Sequence, residues 1–368
     1  MPHRTGSGRR TILKTVGAGV TVGLAGCMGN GDDDNGASDS DTSGSDDIGD
    51  EQSDDDMGGE VEIPNPLRIG HPSPAMAGYS VPTYSLFNEE MESRGVEIEP
   101  VVFNGFTAMV AGIVSGEVEL GYSNPPAIIN SIREGFPISS FLELNQKFSQ
   151  QIIAQPDIES WEELEGAPVA AHSPQSFSAL TLRATAESQL GDPEAFDLSY
   201  IAGTPNRISA MEEEEVDATT VFASAAIDVE ERDIAQWFHN PNDDVAAEPL
   251  SLAQWVTTDD RLNEYEEVYR TIAEELTNSY EQAYETDPQE LAEMIFDSPA
   301  EFPAYDSGDI EVWEQTIEAA QEDEMWETDM SNMLTDERVS RSIDLAERTG
   351  LIDEVIEVDD LVDRRFLE

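Results

Sequence analysis

Four pairs of residues in this chain place a helix-capping side chain directly before a proline: Ser73-Pro74, Asn124-Pro125, Ser173-Pro174 and Thr204-Pro205. Such a side chain accepts hydrogen bonds from the first N–H groups of a helix, and proline fits the first helical turn. Helix N-termini that follow parallel strands lie along one edge of the sheet, where they bind polar or anionic ligands. A single pair fits a simple turn equally well, but the four together predict a ligand-binding edge.

Aromatic and polar residues accompany these pairs in the sequence. An aromatic wall holds a flat or short ligand, and amide and hydroxyl groups form hydrogen bonds to it. Taken one at a time, the aromatic residues are more typical of a hydrophobic core than of a ligand contact. The aromatic candidates are Phe106, Tyr122, Phe177, Phe222 and His172, and the hydrogen-bonding candidates are Asn104, Ser123 and Ser176.

Motifs that would indicate catalysis or a metal centre are missing from the sequence. It contains no Gly-x-Ser-x-Gly elbow, no phosphate-binding Gly-Lys-Ser/Thr loop and no Gly-x-Gly-x-x-Gly after a strand. The histidines His71, His172 and His239 do not have metal-binding spacing, and the acidic run Glu212 to Glu215 fits a solvated helix face. We therefore predict no catalytic residues, no metal site and no cofactor.

The charge balance is strongly acidic, because 18 Lys+Arg against 79 Asp+Glu gives 18 − 79 = −61 over 368 residues. Binding nucleic acid requires a basic surface that neutralises phosphates, so this composition excludes a nucleic-acid-binding protein. Disorder of the whole chain does not fit either, since 39% of the residues are hydrophobic and five are tryptophan. In molar salt the Debye length shortens to about 3 Å, so the acidic side chains no longer repel one another but still keep the protein soluble. We therefore predict that this acidic protein comes from a halophilic source.

Residues 1–26 predict an export signal. They contain basic residues and no acidic ones, around a mildly apolar run that is too short and too glycine-rich to span a bilayer. The segment from Arg9 to Lys14 resembles a twin-arginine signal, which exports proteins already folded. Leu24 to Cys27 resembles a lipobox, whose cysteine becomes the lipidated first residue of the mature protein. The alternative is an ordinary cysteine in a leader.

Residues 27–64 predict a lipidated, acidic tether. The stretch from Met28 to Glu60 consists mainly of Asp, Ser and Gly, so it cannot build a hydrophobic core. Its Asp clusters do not have EF-hand spacing. A flexible tether of this length reaches about 30 Å on average, which places the folded part just off a membrane surface.

From Pro66 onward, short apolar runs alternate with helical patterns, as in parallel α/β proteins. The runs fall into two groups, and each group has the three strands and three helices that one small doubly wound lobe needs. The first group has predicted strands at 67–71, 96–103 and 118–122 and helices at 84–94, 107–115 and 127–133. The second has strands at 168–172, 198–202 and 216–222 and helices at 177–190, 206–211 and 225–232.

The two groups match when one is shifted onto the other. The shift that places Gly105 on Gly203 is 203 − 105 = 98 residues. We therefore predict two similar lobes with a cleft between them, lobe 1 at 65–154 and lobe 2 at 155–248, and a return to lobe 1 at 249–368. The chain is expected to cross between the lobes near Ile152 to Gln155 and near Glu248 to Val256.

Helical periodicity continues to the C-terminus. Apolar residues between Tyr265 and Ala283 recur every three or four positions, and Asp287 to Glu290 has the sequence of a helix start. The Trp and Met residues at 313, 325, 326 and 333 fit a packed core better than a cofactor site. We expect these C-terminal helices to pack on lobe 1.

Four segments carry a resemblance to a known family: Leu67 to Gly70, Val114 to Gly121, Ile158 to Gly166 and Glu215 to Ala218. They are similar to the first strand, the Ser-Gly-Glu-Val-Asp segment, the entry to lobe 2 and the Gly-x-Val-Asp-Ala element of the type II solute-binding proteins of ABC importers. The resemblance is to the branch that binds sulfonates, taurine, nitrate and thiamine-pyrimidine precursors. Glu119 and Glu165 stand where this family usually has Asp and Lys, a drift that fits the acidic composition.

The resemblance implies a type II periplasmic binding protein, with two doubly wound α/β lobes joined by a two-strand hinge. It implies no enzymatic activity and no cofactor. The implied partners are a small-molecule solute and the permease and ATPase subunits of an ABC importer. Implied ligand contacts are Ser73, Met76, Asn104, Phe106, Ser123 and Asn124 in lobe 1 and His172, Ser173, Ser176, Phe177, Thr204 and Phe222 in lobe 2.

The predicted function is that of an extracytoplasmic receptor, anchored through Cys27, that captures a small organic or oxyanionic solute and delivers it to a permease. An enzyme similar to thiamine-pyrimidine synthesis proteins and a ligand-sensing surface lipoprotein are the alternatives. The enzyme is associated with a cysteine-rich motif, whereas the one cysteine of this chain is Cys27. Arg207, at a predicted helix start, either meets a sulfonate or carboxylate or lies on the surface, while the aromatic residues suit a pyrimidine.

Overall fold

The computed structural model of the protein describes residues 62–72, 80–297 and 310–367. The predicted export signal, Cys27 and nearly all of the predicted tether lie outside these residues. Ser73 and Met76 also lie outside them, so the structure does not describe these two predicted contacts. None of the helices in the described part is long and apolar enough to cross a bilayer.

Lobe 1 is built on a five-stranded sheet flanked by helices. Its strands are β1 (Leu67–His71), β2 (Ile98–Val102), β3 (Leu120–Ser123), β4 (Ile138–Asn145) and β10 (Ala253–Thr258), and its first helices are α1 (Val81–Ser93), α2 (Phe106–Ser115) and α3 (Pro125–Arg133). The order is β2-β1-β3-β10-β4, and β10 runs antiparallel to both neighbours. Met109 of α2 packs on Gly70 and Gly121, where a Cβ atom would come within 2.7 Å of its side chain. The two glycines therefore let α2 lie directly on the sheet.

Lobe 2 repeats this architecture. Its strands are β5 (Gln150–Ala154), β6 (Pro168–Ala171), β7 (Asp197–Tyr200), β8 (Ala218–Phe222) and β9 (Gln236–His239), and its helices are α4 (Trp161–Leu164), α5 (Phe177–Leu190), α6 (Thr204–Glu212) and α7 (Ala223–Glu231). The order is β7-β6-β8-β5-β9, with β5 antiparallel to both neighbours. Each sheet thus has one antiparallel strand in fourth place, and in each it is the strand that enters from the other lobe.

The predicted match between the two groups is confirmed in three dimensions. Shifting α2 and α3 by 98 residues (204 − 106 and 223 − 125) places their first residues on those of α6 and α7. Gly105 and Gly203 precede α2 and α6 with φ of 97° and 86°. A side chain other than glycine is strained at such a φ, so both lobes use glycine for the same sharp entry into a helix. The predicted fold class, two doubly wound α/β lobes, is confirmed.

The chain crosses between the lobes at 146–149, from β4 to β5, and at 240–252, from β9 to β10. The first crossing therefore differs from the predicted one near Ile152 to Gln155, because β5 pairs with β8 and β9 in the sheet of lobe 2. The second begins earlier than the predicted crossing at Glu248. The boundary between the lobes accordingly lies before Gln150 instead of at residue 154.

The C-terminal part is helical, as predicted, and packs mainly on lobe 1. Tyr280, Trp313 and Trp326 are buried in the lobe 1 core. One helix, α12 (Asp336–Arg348), also reaches lobe 2: Ile343 lies in the lobe 1 core, whereas Leu345 lies in a core cluster of lobe 2. The helices are α8 (Asp259–Glu264), α9 (Glu266–Glu285), α10 (Pro288–Asp297), α11 (Ile310–Glu322), α12 (Asp336–Arg348) and α13 (Val358–Leu361).

Candidate functional site

The described candidate residues lie at one edge of each sheet. Asn104 follows β2 and Asn124 follows β3 in lobe 1, while His172 follows β6 and Phe222 ends β8 in lobe 2. These are the carboxyl ends of the parallel strands, the edge where doubly wound proteins bind their ligands. The fold therefore brings the sequence candidates of each lobe to a single edge.

In lobe 1, Asn124 is the N-cap of α3, as predicted. Its Oδ1 accepts the Ala127 N–H at 3.0 Å, and Ser123 and Asn124 are 8% and 7% exposed. Asn104 is exposed, and Phe106 is half-buried against the lobe 1 core. The polar side chains of Ser123 and Asn124 are therefore held in place at this edge, whereas Asn104 is exposed to solvent.

Beneath this edge lies an aromatic cluster around His71. The ring centroids of Tyr84 and Tyr122 each lie 5.5 Å from that of His71, and Trp255 packs on Tyr122. His71 Nδ1 lies 3.3 Å from the Tyr122 hydroxyl. Burial lowers the pKa of His71 to about 3, so this ring is neutral at physiological pH. Tyr122, predicted as a possible wall residue, is 9% exposed and belongs to the core.

In lobe 2, the predicted cap at Ser173 is wrong by three residues. Ser176 is the N-cap of α5, since its Oγ accepts the Ala179 N–H at 3.2 Å. The same Oγ accepts the Ser173 N–H at 3.2 Å and donates to the Ser173 carbonyl at 2.7 Å. Pro174 therefore lies in a turn held closed by Ser176, and the helix begins only at Phe177.

The predicted cap at Thr204 is also corrected. Gly203 holds the cap position, and Thr204 is already the first residue of α6. The Gly203 N–H donates to His172 Nδ1 at 3.1 Å, so this nitrogen carries no proton. Burial, and then the charge of Arg207, lower the pKa of His172. Neutral His172 thus ties the loop after β6 to the loop after β7.

Two phenylalanines complete the edge of lobe 2. Phe177 opens α5 and packs on Phe148 with ring centroids 5.7 Å apart. Phe222 is half-buried directly before α7. The next residue, Ala223, is fully buried in the core cluster of lobe 1, so the two lobes touch where α7 begins.

The sequence left open whether Arg207, at this edge of lobe 2, meets an anionic ligand or lies on the surface. It is 1% exposed, so the surface alternative is wrong. Its guanidinium donates to the Thr219 hydroxyl at 3.1 Å and to the carbonyls of Thr220 and Ile201 at 3.0 and 3.3 Å. It also donates to the Thr204 hydroxyl at 3.2 Å. Arg207 therefore fixes the first turn of α6 against the ends of β7 and β8.

The charge of Arg207 has no carboxylate partner within 4.0 Å among the described residues. Burial lowers its pKa to about 10, which leaves it positively charged at neutral pH. Thirteen arginines are described; Arg183 and Arg261, like Arg207, form no ion pair with a described residue, but both are partly exposed. The other ten, which each pair with Asp or Glu, are Arg68, Arg94, Arg133, Arg232, Arg270, Arg338, Arg341, Arg348, Arg364 and Arg365.

A buried carboxylate lies on β4, close to the first crossing. Glu143 is 1% exposed, and its Oε1 lies 3.1 Å from Arg338 Nη1. Burial outweighs the attraction of Arg338 and raises the pKa of Glu143 from 4.5 to about 7. The folded protein therefore holds this proton more tightly than the unfolded chain, and stability falls as the pH rises through that window.

Glu143→Gln should remove this fall, because the amide does not ionise. Between pH 4.5 and pH 8 the parent protein should lose about 3 kcal/mol in free energy of unfolding that Glu143→Gln does not lose. Urea denaturation in high salt at both pH values measures it. Glu327→Gln, which removes the other carboxylate on Arg338, is the control and should keep most of the wild-type pH slope, because burial of Glu143 is the largest cause of its raised pKa and the charge of Glu327 is the smallest. A wild-type slope in Glu143→Gln would contradict the assignment.

Comparison with known proteins gives one family match. A protein-family model described as NMT1/THI5 like matches residues 92–291, which is 291 − 92 + 1 = 200 of the 368 residues. The matched span includes β2, β3 and the whole of lobe 2. No curated protein matches the chain by sequence.

Solved structures resemble the fold over most of the chain. The ligand-binding component of an ABC-type import system from Staphylococcus aureus, solved with zinc bound, has a TM-score of 0.67 at 13% identity, covering 83% of this chain and 98% of that one. Among the described residues here, no group of three or more His, Cys, Asp or Glu is placed to hold a metal ion.

Two sulfonate-binding proteins are similar to this chain to nearly the same extent. The alkanesulfonate-binding protein SsuA from Xanthomonas axonopodis pv. citri, bound to MOPS, has a TM-score of 0.62 at 15% identity, covering 82% of this chain and 99% of that one. The aliphatic sulphonate binding protein SsuA from Escherichia coli has a TM-score of 0.59 at 13% identity, covering 82% and 92%. At these identities the likeness shows the periplasmic binding protein fold.

Proposed function

The chain belongs to the NMT1/THI5-like family, and from this membership and its two-lobed fold we propose that it is the solute receptor of an ABC import system. The two lobes present the carboxyl edges of their sheets, and the helices that begin there direct N–H groups and positive dipole ends toward a ligand. A solute that contacts both edges binds the closed arrangement more tightly than the open one, and so shifts the population toward closure. The closed form is then the one that docks on the permease.

The proposed ligand carries an anionic head group, and Arg207 is the observation that supports this. The chain has a net charge of −61, yet buried Arg207 has no carboxylate within 4.0 Å in the part of the chain that the structure describes, so its positive charge is uncompensated there. The N-terminus of α6, which this arginine holds in place, adds a partial charge of the same sign. A sulfonate or carboxylate at this edge supplies the missing negative charge.

The proposed ligand also has an organic body. Phe106, Phe177 and Phe222 are half-buried at the two edges and offer apolar surface beside the polar groups. The solved relatives named for sulfonate binding make an organosulfonate the first choice. We retain all twelve contact positions implied by the sequence resemblance as proposed contacts, and we add Arg207 to them through its effect on α6.

The proposed location is outside the cytoplasm, at the outer face of the cell membrane. The twin-arginine-like signal and the lipobox-like segment support export followed by lipid attachment at Cys27. The permease and ATPase of the importer are the proposed protein partners. We favour a receptor over an enzyme because no cysteine follows Cys27 in the sequence, whereas the related pyrimidine-forming enzyme is associated with a cysteine-rich motif.

Direct binding measurements test this function. Protein purified in high salt is denatured, and mass spectrometry identifies any small molecules that it releases. Ligand-free protein is then titrated by calorimetry with ethanesulfonate, taurine, nitrate and a neutral aminopyrimidine. We expect saturable, one-to-one binding of an organosulfonate. Binding of the pyrimidine alone would overturn the anionic assignment, and binding of no probe together with release of no solute would overturn the receptor assignment.

A further inference from the structure

A buried side chain of the second crossing is hydrogen-bonded to the first crossing. Asn242, in the second crossing, is 7% exposed. It pairs with the backbone of Phe148 as another peptide group would: its Oδ1 accepts the Phe148 N–H at 2.7 Å, and its Nδ2 donates to the Phe148 carbonyl at 3.0 Å. The same Nδ2 donates to Asp323 Oδ2 at 2.9 Å, immediately after α11. Asn242 therefore links both crossings to a helix of lobe 1.

Lys147 makes the reciprocal contact from the first crossing. Its Nζ donates to the carbonyls of Ala246 at 2.6 Å and Ala247 at 3.2 Å in the second crossing. The chain has only two lysines, Lys14 and Lys147, so 18 − 2 = 16 of its basic residues are arginines. A compact ammonium group reaches two adjacent carbonyls where a planar guanidinium needs a wider space. This geometry explains why a lysine is found at the hinge of an arginine-rich chain.

Backbone hydrogen bonds surround these two side chains. The Leu250 N–H donates to the Gln146 carbonyl at 3.0 Å, and the Gln146 N–H donates to the Met325 carbonyl at 3.0 Å. The two crossings and the segment after α11 are thus one hydrogen-bonded unit. Separate crossings would each turn about their own φ and ψ angles, whereas this unit turns as a whole.

We propose that Asn242 and Lys147 are positioning residues that couple the two crossings, so that the lobes move about one common hinge without twisting independently. A ligand is bridged only when both sheet edges face it. Restricting the lobes to one path raises the fraction of molecules that are competent to bind, and the apparent Kd is inversely proportional to that fraction, so it falls. The coupling is a property of the fold, and only its benefit for affinity rests on the proposed function.

Distance measurements between the lobes test the coupling without any ligand. Val102 and Tyr200 end β2 and β7, lie on different lobes, and are 45% and 43% exposed. Spin labels on Val102→Cys and Tyr200→Cys, in the full chain with Cys27→Ser, report the interlobe distance by double electron–electron resonance in high salt. We expect one narrow distance population in the parent protein. Asn242→Ala and Lys147→Met should lose it and give a broad distribution.

Gln155→Ala is the matched control, because Gln155 Nε2 donates to the carbonyls of Met211 and Val216 within lobe 2 only. It should lower thermal stability and leave the distance distribution unchanged. Distributions in Asn242→Ala and Lys147→Met as narrow as the parent's would overturn the proposal, as would a parent distribution already as broad as theirs. If Asn242→Ala does not fold, Lys147→Met decides. Because ligand-free protein is measured, failure of the solute titrations does not affect the outcome.

Discussion

Replacing Arg207 by methionine should weaken binding of the organosulfonate by about 10- to 100-fold, which is a loss of about 1.4–2.8 kcal/mol in binding free energy. Methionine keeps much of the apolar volume but removes the positive charge and the donors that fix the first turn of α6. Folding should suffer as well, since the carbonyls of Ile201 and Thr220 lose a donor at a cost of about 1–3 kcal/mol each. Calorimetric titration and urea denaturation in high salt measure the two effects.

Two further variants separate charge from folding in this experiment. Arg207→Lys keeps the charge with fewer donors, so it should retain more sulfonate affinity than Arg207→Met. Arg183→Met changes another arginine that has no ion pair among the described residues, one that donates to the Thr349 carbonyl instead, and it should leave affinity unchanged. Folded Arg207→Met protein that binds sulfonate as tightly as the parent would contradict an anion site at this edge.

Dialysis into low salt should unfold the protein, and this is the second large effect. The Debye length grows from about 3 Å at 1 M salt to about 10 Å at 0.1 M, so the charges that produce a net −61 begin to repel one another across the surface. Circular dichroism, recorded as the protein is dialysed stepwise into buffers with less potassium chloride, measures the loss of structure. A nonionic osmolyte at the same water activity should not replace the salt. An unchanged spectrum in low salt would contradict the interpretation.

The end of α6 gives this salt dependence a local test. Glu212 is the last residue of the helix, and Glu213 to Glu215 follow it, all exposed. Negative charge at a helix C-terminus is unfavourable by about 0.3–1 kcal/mol per residue at low ionic strength. Glu213→Gln/Glu215→Gln should therefore lower the salt concentration at the unfolding midpoint. Glu212→Gln is the control: Glu212 pairs with Arg232, so its loss should bring no such gain.

The sequence predicted most of the parallel strands well. It predicted poorly the four strands that flank the crossings, β4, β5, β9 and β10, and the reason is physical. Strands such as β1 and β6 are apolar runs bounded by turn residues, and the helices that follow end at glycines such as Gly116 and Gly191. The crossing strands contain polar residues that are nevertheless buried. Gln150, for example, accepts a hydrogen bond from Thr220, and Ser140 donates one to Gln254. Hydropathy cannot identify a buried strand whose polar groups are satisfied by partners distant in sequence.

At the candidate site, too, the sequence predicted contacts between neighbouring residues better than contacts between residues far apart in the chain. The cap at Asn124 depends on residues within one helical turn, and the sequence predicted it correctly. Ser173 and Thr204 have suitable side chains, but neighbouring Ser176 and Gly203 take the cap positions. The burial of Arg207 depends on carbonyls at the ends of two different strands, so no local pattern could reveal it. The sequence showed Lys147 only as one of two lysines. Its contacts could not be predicted, because they are made to carbonyls of the second crossing, about 100 residues away in the chain.

Small-angle X-ray scattering with and without ethanesulfonate tests the central claim, that two lobes close upon an anionic solute. The comparison is made in high salt, at a concentration of ethanesulfonate that calorimetry shows to saturate the protein. We expect the radius of gyration to decrease on saturation and to decrease less in folded Arg207→Met protein at the same concentration, in line with the smaller bound fraction that calorimetry gives for the variant. A scattering curve of the parent protein that does not change although ethanesulfonate is bound would contradict closure and, with it, the receptor function proposed for this chain.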